Sequence, residues 1–165
     1  MHRFRMLAMT AMSLLIGVAL HAGGALAQTA KDLVGTWEWV SLDLTRGGTK
    51  SQPFGANPKG YIIFDSNGRF AYLLSQPGRA KFAANNREQG TPDENKATVA
   101  GSLGYSGTYS VSDKTLIFEI EASTYPNAVG DEQKRSFTLT GDELKYTNPT
   151  PTAGGTAEAV LKRVK

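Results

Sequence analysis

Residues 60–75 read "GYIIFDSNGRFAYLLS". Six residues rich in aromatic and β-branched types, Gly60 to Asp65, precede Ser66-Asn67-Gly68, and a second apolar run, Arg69 to Ser75, follows. Asn and Gly both tolerate the positive φ that tight hairpin turns need, so the stretch reads as two antiparallel strands and their turn. In a strand, successive side chains face opposite sides.

The same pattern extends in both directions. Gly35 to Leu44, "GTWEWVSLDL", is a strand before the hairpin. After it, Gly104 to Val111 meets Thr115 to Glu121 across Ser112-Asp113-Lys114, and Glu132 to Thr140 meets Glu143 to Thr147 across Gly141-Asp142. Gly155 to Val164 makes an eighth strand. Short strands joined by tight turns predict an all-β, up-and-down antiparallel sheet, and eight of them can close into a barrel without exposed edges. One long segment interrupts the meander, from Ser75 to Gly104. Within it, Thr91 as N-cap, Pro92 at the first helical position and Glu94 three residues after the cap form a capping-box pattern. A two-turn helix at a barrel mouth is the expectation, with a surface loop as the alternative. Lys145 to Gly155, "KYTNPTPTAGG", reads as the loop before the last strand.

Residues 1–27 carry Arg3 and Arg5, an apolar run from Met6 to Leu20, and Ala25-Leu26-Ala27. That is the pattern of a secretory signal peptide with a small-residue cleavage site, and the run is short of the ~20 residues a membrane span needs. The expected mature domain is residues 28–165, periplasmic or secreted. The whole chain has 18 Lys and Arg against 15 Asp and Glu, and without Arg3 and Arg5 it has 16 against 15. No basic stripe remains to suggest nucleic acid or an anionic membrane surface. There is no cysteine, which excludes disulfides and thiol chemistry.

Both histidines, His2 and His21, fall in the expected leader. A mature domain without histidine lacks Ser-His-Asp and Cys-His systems and imidazole-based metal sites. "DSNG" at Asp65 to Gly68 starts like a calcium loop but lacks the later ligands and the closing Glu. No metal, no cofactor and no catalytic residue is expected.

The "LVGTW" of Leu33 to Trp37, the "GYIIFDSNGRF" of Gly60 to Phe70, the "YSGTYSV" of Tyr105 to Val111 and the "YPNAVGDEQKRSFTL" of Tyr125 to Leu139 resemble the bacterial lipocalin-like domain family, of the lipocalin and calycin barrel type. The resemblance covers nearly the whole expected mature chain. It implies a barrel with a small-molecule pocket, Trp37 closing one end, and an arginine near the last strand, Arg163, stacked over Trp37. Two departures stand out. The strand "LIFEIEAS" has Phe118 and Glu119 where that family often has histidines, and Leu161 stands near the end where it often has a tryptophan.

Parity selects the candidate ligand residues. Gln133, Arg135, Phe137 and Leu139 share one face of their strand, so a full charge falls on the buried side. Burying an isolated charge costs several kcal/mol even after relaxation. Three roles are open to Arg135: it lies at a wet mouth, it pairs with a glutamate or an aromatic face, or it meets an anionic or carbonyl-bearing ligand in a hydrated cavity. Tyr105 and Tyr109 share an inward face, as do Trp37 and Trp39, while Glu119 and Glu121 should point to water. The predicted ligand set is Arg135, Gln133, Tyr105, Tyr109 and Trp39. The leading function is binding of a small hydrophobic or amphipathic molecule, neutral or anionic, by a monomer or weak dimer. The alternatives are an isomerase-like or cyclase-like enzyme using Arg135 and the tyrosines, and a filled barrel acting as an envelope interaction module. An open cavity lined by Arg135 and tyrosines would disfavour the filled barrel.

Overall fold

The computed structural model describes residues 28–165. The expected leader and its cleavage site at Ala27 lie outside that range. A single helical turn, α1 (Ala30–Leu33), leads into β1 (Gly35–Arg46), followed by β2 (Thr49–Ser51), β3 (Lys59–Phe64) and β4 (Arg69–Ser75). The helix α2 (Pro92–Ala100) precedes β5 (Ser102–Ser112) and β6 (Thr115–Ser123). A 3-10 turn, Pro126–Ala128, leads to β7 (Glu132–Thr140), β8 (Glu143–Asn148) and β9 (Thr156–Arg163).

The strands pair antiparallel in sequence order, and β1 also pairs with β9. That pairing runs from Trp37 opposite Arg163 to Thr45 opposite Thr156 and closes the sheet. Eight strands make the barrel, and the three-residue β2 pairs with the far end of β1 at Leu44 to Arg46. Closure gives the strands partners on both sides and removes the exposed edge that an open sheet would carry.

Alternation produces the core. In β4, Phe70, Tyr72 and Leu74 are buried while Arg69, Ala71 and Leu73 are exposed. In β7, Gln133, Arg135 and Phe137 are buried between exposed neighbours. Glu119 and Glu121 face water, as expected. Two strands break the simple period. In β1 the register slips between Trp39 and Ser41, so Trp37 and Trp39 point inward and then Leu42 and Leu44 do. In β6 it slips at Glu121, which has no partner on β5. Gly107 lies beside that second bulge, and a Cβ there would fall 1.9 Å from the Glu119 carbonyl oxygen. Bulges of this kind bend strands and help a small barrel turn its corners.

The predicted hairpin between β3 and β4 forms, with the Gly68 N–H donating to Asp65 O at 3.2 Å. Gly68 has φ +80, whereas Asn67 is absent from the positive-φ residues. The Asp65 carboxylate instead accepts from the Asn67 N–H, and this Asx turn stabilises the corner. The capping box also forms. Thr91 Oγ1 accepts from Glu94 N at 3.3 Å, and the Glu94 carboxylate accepts from Thr91 N at 2.8 Å. The α2 helix buries no residue, and its C-terminal residues Thr98 to Ala100 line a cleft with Phe54, Thr152 and Ala153.

One end of the barrel is shut. Trp37 is fully buried, its indole N–H donates to Leu33 O at 2.7 Å, and the Arg163 guanidinium lies 4.1 Å from its ring centroid. Arg163 in turn donates to Val34 O and Asp32 O, each at 2.6 Å. A cation stacked on an indole and tied to two carbonyls fastens α1 to β9 across the barrel end.

Candidate functional site

Toward the other end the interior is not filled. A cavity of about 70 Å³ lies between the walls of the barrel. A water requires roughly 10–15 Å³ by this measure, so several would fit. The cavity opens to solvent through a mouth at the loop-lined rim. Its apolar walls include Leu42, Leu44, Leu74 and Ala157, and Phe54 and Pro151 come from the loops at the rim. Tyr72, Tyr105, Gln133, Arg135, Tyr146 and Asn148 supply the main polar groups. No Asp, Glu, His or Lys is among its lining residues.

Arg135 is the centre of this group. It is 2 % exposed and projects from β7, the strand that pairs with β6 and β8. One terminal nitrogen, Nη2, donates to the Tyr105 hydroxyl at 2.5 Å and to Gln133 Oε1 at 2.8 Å. The guanidinium carbon stands 4.5 Å from the Phe118 ring centroid, 4.7 Å from that of Tyr146 and 5.4 Å from that of Tyr72. Rings with negative faces stabilise a desolvated cation. Two nitrogens, Nε and Nη1, are buried and make no hydrogen bond. Among the described residues Arg135 joins no salt bridge, and the ion pairs that do form engage other side chains.

The tyrosines form a connected set. Tyr72 and Tyr105 stack at 4.2 Å between centroids, and the Tyr72 and Tyr146 hydroxyls are 3.4 Å apart. Burial pushes the Tyr105 phenol up to about 12, against the opposing pull of Arg135. Burial likewise raises Tyr72 and Tyr146. All three are therefore neutral phenols at physiological pH and give Arg135 no negative charge. Burial works against the charge on Arg135, but a guanidinium is so weak an acid that it stays protonated.

Of the predicted ligand residues, Arg135, Gln133 and Tyr105 line the cavity together. Trp39 stands one layer back. Its ring meets Tyr72 edge-on at 5.0 Å and Tyr146 at 6.4 Å, and its indole N–H donates to Leu73 O at 2.8 Å. Tyr109 lies toward the shut end, where it packs on Phe64 at 4.8 Å and donates to Asp65 O at 2.9 Å. It does not line the cavity. Tyr72, Tyr146, Phe118 and Asn148 lay outside the predicted set. Tyr72 had a usable signal, since it shares parity with Phe70 and Leu74 in "RFAYLLS". Tyr146, flanked by Lys145 and Thr147, carried a weaker one.

Residues 34–163 match the family described as the lipocalin-like domain. The chain belongs to that family. The barrel also has a curated relative, the "4'-hydroxy-3'-methoxypropiophenone carrier protein" of Aspergillus oryzae. It is 30% identical over 86 residues, covering 47% of this chain and 78% of the relative. No solved structure matches. A lipocalin-like barrel with an open pocket, and a relative named as a carrier, fit small-molecule binding.

Proposed function

We propose that the protein is an exported carrier that holds one small, partly apolar molecule in the open part of its barrel, with Arg135 as the anchor. The observation that carries this reading is a buried, uncompensated guanidinium at a cavity, with two nitrogens unpartnered. A ligand oxygen is what such a group lacks. Tyr105 and Gln133 orient the guanidinium, and Tyr72 and Tyr146 offer ring surface and hydroxyls. The relative's printed cargo is an aryl ketone, which has the flat apolar body and oxygens that suit these walls. Carriage is favoured over catalysis because the lining includes no carboxylate or imidazole and its phenols are held protonated. A general base is thus missing.

Native mass spectrometry of protein purified from its own cells tests this reading. The expected result is a discrete small-molecule mass on the native protein that is lost in Arg135→Met. The native protein arriving bare, or both proteins carrying the same mass, contradicts it. The leader pattern supports export. Peptide mass sequencing of the exported form should place its N-terminus at Gln28 or within a couple of residues, and retained residues 1–27 in the soluble fraction would contradict export with cleavage.

A further inference from the structure

The groups around Arg135 do not balance its charge. From β4, β5 and β8 it faces Tyr72, Tyr105 and Tyr146, which are neutral. From β6 it meets Phe118 and from its own strand Gln133, neither of which ionises. No acidic residue lines the cavity, and none pairs with Arg135 among the described residues. The site therefore holds one net positive charge in a poorly solvated space. A second donor stands nearby. The Asn148 side-chain oxygen accepts from Thr150 N at 3.1 Å, which leaves its NH₂ as a donor at the cavity wall.

We propose that the cavity selects its ligand's charge state, taking a flat, acidic organic molecule as the monoanion, a phenolate, enolate or carboxylate that neutralises Arg135. This rests on the small-molecule reading above. A neutral ligand would fill the space and leave the charge uncompensated, whereas an anion beside the guanidinium removes that penalty. An opposite charge within about 4–6 Å lowers an acid's midpoint by about 1–3 units. Each unit is a tenfold preference for the anion. A weakly acidic ligand would thus lose its proton on entering the barrel, and acidification would favour release.

A phenol that reports its own ionisation by colour is the probe. 4-Nitrophenol is titrated with the full folded domain in buffer below the free phenol's midpoint, beside 4-nitroanisole, which has the same body and cannot ionise. The expected result is growth of the phenolate band on adding protein, a midpoint lowered by about one to two units, and binding at least about tenfold tighter than nitroanisole. Arg135→Gln should abolish both the band and the preference. Tyr105→Phe removes one partner of the guanidinium but not its charge; it should bind the probe with altered affinity yet still lower its midpoint, which keeps the test decisive even if the arginine variant folds poorly. Nitrophenol bound without a phenolate band, or nitroanisole bound as tightly, overturns charge selection and leaves the carrier reading standing. Failure of both probes to bind also overturns it, and the mass measurement above then judges the carrier reading separately.

Discussion

Arg135 spends Nη2 on Tyr105 and Gln133 and lies over the rings of Phe118 and Tyr146, so the barrel interior is organised around a cation and neutral phenols. Those phenols make stability sensitive to alkali. The folded-state value of Tyr105, about 12, lies above the ordinary 10.0 of an unfolded chain. Its contribution is complete below pH 10 and is lost as pH rises through about 12, because the unfolded chain ionises first. Tyr72 and Tyr146 shift in the same direction. Thermal melts should hold steady through neutral pH and fall above pH 10, and Tyr105→Phe should flatten part of that fall. If all six tyrosines titrate at the ordinary midpoint while the domain stays folded, the buried phenols are not as described.

At the scale of elements, α1, β1 and β9 form the closed end through Trp37 and Arg163. Trp37→Ala removes a fully buried indole from between Leu33 O and a guanidinium. The expected loss is ~3–5 kcal/mol by denaturant melts, and a loss below about 1 kcal/mol would mean that the plug does not hold the barrel shut. These elements were largely legible in the sequence, because alternation marks which side of a strand is buried, and the Thr91 capping box announced α2. The bulges were not. Nothing in "WEWVSL" requires the inward face to pass from Trp39 to Leu42, since that offset answers the curvature of the closed sheet rather than any local preference. Height along a strand was equally hidden. Tyr105 and Tyr109 share parity, but four residues at about 3.4 Å each separate them by roughly 14 Å. One reaches the cavity and the other the shut end. Parity gives the face of a residue, and closure of the barrel decides its neighbours. Tyr72, Tyr105, Phe118 and Tyr146 come from four strands and meet only because the sheet curls.

The whole molecule is a barrel shut by Trp37 and Arg163 at one end and left open beside Arg135 toward the other. The two arginines illustrate how burial is made tolerable in different ways. Arg163 has carbonyls and an indole to satisfy it, whereas Arg135 keeps two nitrogens without partners. Removing Arg135 strands no opposite charge among the described residues, so Arg135→Met should fold with stability close to the native value or above it. The direct test is calorimetric titration of the native protein and Arg135→Met with 4-nitrophenol, each first shown to be folded by its melt. Saturable one-site binding to the native barrel, weakened in the variant by about 1.5–3 kcal/mol, the worth of a hydrogen bond to a charged group, is the predicted result. Equal affinity in the two folded proteins would contradict Arg135 as the anchor.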